Sequence, residues 1–342
     1  MPRLSQQRIA NGLNATLVGA TPEKARLKDL KIVVFSDHHR GTGDRADDFR
    51  TCRRIYHAAL AYYLELGHRL VLLGDVEEMW ERPLGSIIRR YQTTLELERC
   101  FFAAQRGVRL LGNHDESLIW PWHRNALAPY LCDAPLLESL CIELSDETVG
   151  AEPARLFFAH GHQGLAYTAF DRFVVRQIWA RLQGLTGWKF GSGTPAENHD
   201  LRRSHELALY HWAASLNSPH LLICGHTHHP VFMSTALDAT LRDTLALYRE
   251  ENRDPEQIAL LEAELYWILA EVDEMRTALP AQAKPCYFNT GCCSFEDGSI
   301  TGIEITDGNI RLIRWRGAEN KPQRQILQEA SLSSIIRSCR GA

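Results

Sequence analysis

Apolar and polar positions along the chain fall into a repeating rhythm of short strands and longer helices. Lys31-Ile32-Val33-Val34-Phe35 is an apolar run of strand length, and 46–66 follows with the period of an amphipathic helix that stops at Gly67. The rhythm returns twice, as a strand at 70–73 with a helix over about 85–105, then a strand at 108–111 with a helix over about 118–131. Apolar strands interleaved with helices imply a sheet covered on both faces. Further strands are expected at 140–144, 155–159, 221–224, 286–288, 300–305 and 310–315. The last two flank Asp307-Gly308, a strong signal for a tight hairpin turn.

Two helical stretches interrupt this scheme. The first, about 165–216, carries Phe170, Phe173, Val174, Ile178, Trp179, Leu182 and Trp188 and is expected to cap a site. The second, about 237–279, reads as a hairpin of two long helices. Asp254-Pro255 supplies an N-cap acceptor and a proline at the first helical position of its second arm. The heptad-like apolar stripe of this hairpin suits packing within it and pairing with another subunit as a homo-oligomer. The expected organisation is an extension over 1–28, a main domain over 29–317 that holds both insertions, and a polar, partly loose tail over 318–342.

Composition narrows the class. A chain of 342 residues with 45% apolar content can bury one large core with insertions. A net charge of -4 from 38 basic and 42 acidic residues leaves no basic footprint, so nonspecific nucleic-acid binding is not expected. Nine cysteines without a CxxC pair suit reduced thiols. No window approaches the roughly 20 apolar residues of a membrane span, and 1–28 lacks the core of an export signal. The expected location is cytoplasmic, at most peripheral to a membrane.

Candidate chemistry collects where the strands end. Asp37-His38-His39 follows the first strand, Gly74-Asp75 the second and Gly112-Asn113-His114-Asp115 the third. His160-Gly161-His162 and Gly225-His226-Thr227-His228 follow two later ones. Carboxyl ends of strands are where open α/β sheets form crevices. A lone Gly-Asp is ordinarily a turn, but five metal-competent clusters at five strand ends point to a metal site. Strand alternation turns His38 away from its neighbours, and His229 is expected at the rim. Arg40, just past the first cluster, could offer a guanidinium to phosphate.

The ordered set resembles the calcineurin-like metallophosphoesterase superfamily, whose signature runs Asp-x-His, Gly-Asp, Gly-Asn-His-Asp or Glu, a further His, then Gly-His-x-His. The resemblance spans about 31–315 and implies a four-layer α/β/β/α sandwich. It implies that Asp37, His39 and His228 hold one metal, that Asn113, His160 and His226 hold the other, and that Asp75 bridges them. His160 and His162 compete for one position; the strand-end His followed by Gly matches the family, which favours His160 and leaves His162 to meet substrate. Oxygen and imidazole donors suit Mn first, with Fe, Zn, Co or Mg as alternatives. Two ions about 3.5–4 Å apart can clamp an in-line phosphoryl displacement and lower the pKa of a shared water from about 15.7 toward about 7. His114 is then expected over the phosphate as general acid, with Asp115 fixing its tautomer.

The implied activity is hydrolysis of a phosphomonoester or phosphodiester, in a small-molecule, lipid or protein substrate. The run Gly74-Asp75-Val76-Glu77-Glu78-Met79-Trp80, the first helical insertion and the final strand pair are also similar to the UDP-2,3-diacylglucosamine pyrophosphatase group. That likeness implies a pyrophosphatase acting on a nucleoside-diphosphate sugar or lipid as an alternative. The chain departs from that group in carrying His114 in place of an arginine and in having the 237–279 hairpin. A histidine can protonate a poor leaving group such as an alkoxide, whereas arginine cannot. A third reading is a catalytically weak metal-binding scaffold, against which the full ligand set weighs.

Overall fold

The computed structural model describes residues 2–145, 153–165, 199–251, 253–271, 283–318 and 321–340. It opens with α1 (Pro2–Gly19) and β1 (Glu23–Ala25), then β2 (Lys31–Phe35), α2 (Phe49–Glu65), β3 (Arg69–Leu73), α3 (Leu84–Ala103) and β4 (Gly107–Leu110). Next come α4 (Pro121–Leu131), β5 (Leu136–Leu137), β6 (Ser139–Leu144), β7 (Ala154–Ala159), α5 (His199–Ser215) and β8 (His220–Cys224). After β9 (Pro230–Phe232) and β10 (Thr235–Ala236), the hairpin α6 (Leu237–Glu250) and α7 (Pro255–Glu271) leads to β11 (Tyr287–Thr290). The chain closes with β12 (Ile300–Thr306), β13 (Asn309–Ala318), β14 (Lys321–Ser331) and α8 (Leu332–Arg340).

The strands form two seven-stranded sheets, ordered β14-β13-β12-β2-β3-β4-β5 and β1-β6-β7-β8-β11-β9-β10. Period-two alternation explains why they stack. In β2, Ile32 and Val34 enter the core between the sheets, while Val33 and Phe35 enter a second core beneath α2 and α3. In β3, Val71 and Leu73 face the first core while Leu70 and Leu72 face the second. On the far side, α5 and α1 pack together, and α5 meets β8 and β11. The result is the four-layer α/β/β/α sandwich. At the β12–β13 turn both Asp307 and Gly308 have positive φ, 54° and 74°, and Thr306 pairs with Asn309.

Three expectations change. The extension over 1–28 is built into the body: Ile9 and Leu13 of α1 are buried, Trp212 Nε1 of α5 donates to Asn14 Oδ1 at 2.8 Å, and β1 pairs in parallel with β6. The tail is ordered, because Leu332, Ile335, Ile336 and Cys339 stand at helical spacing and α8 buries all four. Arg324 of β14 reinforces this by donating through Nε to Glu304 Oε2 at 2.9 Å and through Nη2 to Oε1 at 2.6 Å. Thirdly, α5 within the expected cap belongs to the outer helical layer, with Leu209, Trp212 and Ala213 in the main core. Residues 166–198, with the apolar residues expected in the cap from Phe170 to Trp188, lie outside the described residues. The two helices of the hairpin, α6 and α7, pack on each other, and α7 meets the body through Trp267 and Ile268, with the Arg314 guanidinium 3.4 Å from the Trp267 ring centre. Val272 and Met275 lie outside the described residues. Among the described residues no helix is long and apolar enough to cross a membrane.

Candidate metal centre

The loops after β2, β3, β4, β7 and β8 converge at one end of the stacked sheets. Asp37, His39, Asp75, His226 and His228, five of the seven expected metal ligands, adopt positive φ between 48° and 69°. Such a conformation costs an L residue roughly 1–2 kcal/mol, so the surrounding packing must impose it. Gly74 and Gly112 let the loops close in. A Cβ on Gly74 would stand 2.7 Å from His160 Nδ1, and one on Gly112 would overlap the Asp75 carboxylate.

Three groups of side chains result, one of them His39, Asp75 and His114; the other two hold six of the seven expected ligands. Asp37, His39 and His228 form one, with Asp37 Oδ1 3.3 Å from His228 Nε2 and 3.9 Å from His39 Nε2. Asp75, His160 and His226 form the other, with Asp75 Oδ2 3.0 Å from His160 Nε2. The same Asp75 oxygen lies 4.0 Å from His39 Nε2, so this carboxylate stands between the groups. Asn113 sits between Gly112 and His114, whose backbone N–H donates to Asp75 Oδ1 at 2.8 Å.

The donor set fits a divalent cation. The side-chain amide of Asn113 and Nε2 of His226 are buried without a hydrogen-bond partner among the described residues. Unpartnered buried polar atoms call for an explanation, and on these two expected ligands a bound cation supplies one. The ring of His160 is aimed by a contact of its Nδ1 with the Leu73 carbonyl at 2.8 Å, which leaves Nε2 to face Asp75. His162 is in none of these groups: its ring centre is 5.4 Å from that of His160 and 6.5 Å from that of His226.

Electrostatics describe a strongly anionic pocket. Burial opposes the charged form of His39, yet the hydrogen bond to Glu78 and the charges of Asp75, Glu78 and Asp37 outweigh it and raise the pKa to about 10. Burial also opposes the charge on His160, and Asp75 and Asp37 raise it to about 9. Protons bound there are the competitors that a metal must displace.

Around this cluster the structure corrects several sequence expectations. The Asp115 carboxylate is engaged away from the His114 ring. It accepts from the backbone N–H of Val76 at 2.8 Å and of Gly112 at 2.7 Å and pairs with Arg109, tying the Asp75 loop to the Asn113 loop. The carboxylate facing His114 is Glu78, whose Oε2 is 2.6 Å from His114 Nδ1 and 2.9 Å from His39 Nδ1. Glu78 had no assigned role from the sequence; its place three residues beyond Asp75 was the available signal. Trp80 completes the support, stacking on His114 with centroids 4.0 Å apart and donating to the Asn113 carbonyl at 2.7 Å.

Arg40 is likewise unable to meet substrate. It is fully buried, bidentate on Glu98 and 3.6 Å from Glu77, with Tyr56 donating to the same Glu98 at 2.7 Å. Replacing Arg40 by Ala strands Glu98 in the interior, so urea denaturation should register a loss of about 3–5 kcal/mol. An unchanged midpoint with a raised KM would restore the substrate-contact reading. His229 is not a rim residue either. It is buried between Glu206, 3.2 Å from its Nδ1, and Asp238, 3.4 Å from its Nε2, which pins the loop that carries His226 and His228. His38 does point away, its ring edge-on to Tyr56 at 4.7 Å and to Phe49 at 5.5 Å.

No curated protein matches the chain in sequence. Among solved structures, vacuolar protein sorting 29 from Cryptosporidium parvum is similar at 11% identity and a TM-score of 0.38, over 88% of this chain and 98% of that one. The sequence model described as calcineurin-like phosphoesterase matches residues 30–230, from the start of β2 through the His226–His228 loop. That span covers more than half of the chain and all five ligand clusters, and the chain therefore belongs to the calcineurin-like phosphoesterase family.

Proposed function

We propose that the chain hydrolyses a phosphomonoester or phosphodiester with two divalent cations, Mn foremost. Asp37, His39 and His228 would hold one ion, Asn113, His160 and His226 the other, and Asp75 would be shared. The observation that carries this reading is the Asp75 carboxylate between two three-residue groups, with His114 beside it and outside the buried core. Ions bound there would polarise the phosphate and supply hydroxide for in-line attack.

The chain's own residues supply the rest. Glu78 favours a proton on His114 Nδ1 and so stabilises the imidazolium; its Nε2 is the donor for the departing alkoxide. Trp80 fixes the plane of that ring through the stack beneath it. Because Glu78 also contacts His39 Nδ1, one carboxylate orients both a ligand and the acid. Steady-state hydrolysis of p-nitrophenyl phosphate and bis-p-nitrophenyl phosphate by the Mn-loaded chain tests the proposal. Turnover of neither, with two ions bound per chain, would leave the scaffold reading in its place.

A stability measurement checks the electrostatics independently. In chelator-treated protein His39 and His160 have pKa values of about 10 and about 9, above the unfolded value near 6.5. The folded chain then holds extra protons, so this contribution to stability is complete below about pH 6.5 and is lost as pH rises through about 9–10. The melting temperature of chelated protein should fall across that window. The Mn-loaded protein should lose less, since the metal replaces those protons. His229, raised to about 9 against the penalty of burial by Glu206 and Asp238, shifts both curves alike. Parallel curves would mean that His39 and His160 do not bind the metal.

A further inference from the structure

His114 has a second neighbourhood. It lines a cleft of about 320 Å³ together with Trp80, Arg82, Trp120, Trp122 and His123. Trp120 and Trp122 bracket Pro121, the residue that starts α4, and their indoles are parallel, with centroids 5.3 Å apart and planes 9° from each other. They remain 51% and 62% exposed. Large aromatics normally remove most of their surface from water, and two stacked indoles left open beside a candidate catalytic group mark a binding surface.

The platform is held in place. Pro121 restricts the backbone between the indoles, and His123 Nδ1 lies 3.1 Å from the Ser117 carbonyl while its ring abuts Trp122 edge-on at 5.9 Å. The lining also favours one occupant over another. An acyl chain wants a slot that is apolar throughout, whereas this cleft joins π faces to polar side chains, Glu116, Ser117, His123 and an Arg82 whose Nη2 is held by Asp44 at 3.0 Å. A planar heterocycle has faces to stack and polar edges to satisfy, so both parts of the lining find partners.

We propose that the cleft binds the nucleobase of a nucleotide phosphoester, stacked on Trp120 and Trp122, while its phosphate lies at the metal cluster beside His114. This rests on the phosphoesterase reading of the same site. It names the substrate class that the metal cluster alone leaves open.

Binding to non-hydrolysable phosphonates tests it without turnover. Calorimetry on the Mn-loaded full chain would compare three ligands with the same head group: the 5′-methylenephosphonate of adenosine, methylphosphonate and octylphosphonate. The nucleoside ligand should bind ~10- to 100-fold more tightly than methylphosphonate, the range that stacking on aromatic side chains provides. The double variant Trp120→Leu, Trp122→Leu keeps apolar bulk at exposed positions and removes the indole faces. In it that preference should shrink to about threefold or less. Equal binding of the nucleoside ligand and methylphosphonate by the native chain would overturn the inference. So would an undiminished preference in the double variant, or tighter binding of octylphosphonate than of the nucleoside ligand. Turnover is read separately: hydrolysis of simple phosphoesters without a nucleoside preference would refute the subsite alone, and a nucleoside preference without any hydrolysis would refute the enzyme alone.

Discussion

Asp75→Asn should abolish most activity and take metal with it. The carboxylate lies 3.0 Å from His160 Nε2 and 4.0 Å from His39 Nε2, so it reaches both groups. An amide has the same shape, and its oxygen can still accept from the His114 N–H, so the fold should survive. What it lacks is the negative charge that two cations share. A two-metal site supplies several kcal/mol of transition-state stabilisation, so the loss in kcat should reach roughly 1,000-fold or more. Elemental analysis should show metal falling from about two ions per chain to one or fewer. Two ions retained with near-native turnover would remove Asp75 from the bridge.

The second large effect belongs to His114→Ala, which should lower kcat by about 100- to 10,000-fold and leave metal content unchanged. His114 stands close enough to His39 and Asp75 to be counted with them as a possible metal group, so the metal measurement is the discriminating one. Loss of an ion would make His114 a ligand. A companion variant reads its proton. Burial opposes the imidazolium of His114, but Glu78 and then Asp75 outweigh it and raise the pKa. An acid works in its protonated form, so activity falls as pH rises through that pKa. Glu78→Gln removes the nearest anion and should move the alkaline limb of kcat/KM to lower pH, measured at saturating Mn. A limb that stays in place would mean that Glu78 serves His39 alone.

Much of the site was legible because its parts are local. Each ligand cluster follows an apolar strand by one to three residues, so strand period and ligand type could be read from the same short segment, as in Leu70 to Asp75 or Leu221 to His228. The α8 helix was legible in principle, since Leu332, Ile335, Ile336 and Cys339 carry its period, but the polar residues of β14 before it disguise the signal. An edge strand keeps a polar, half-exposed face and need not look like a core strand.

Partner choice among charged side chains is another matter. Arg40 and Asp115 flank ligands in the sequence and looked like parts of the chemistry, yet both belong to buried networks that hold the loops, Arg40 on Glu98 and Asp115 on Arg109. Glu78 looked like one acid among several and proved to be the one that faces His39 and His114. Sequence alone thus determined the succession of strands, the identity of the ligand-bearing loops and the family they announce, because those depend on hydrophobic period and residue type within a few positions. Only the tertiary structure decided which carboxylate meets which histidine, that 1–28 and 321–340 complete the body, and that Trp120 and Trp122 stand beside His114. Those contacts join residues far apart in the chain, or set side-chain directions that packing rather than local propensity fixes.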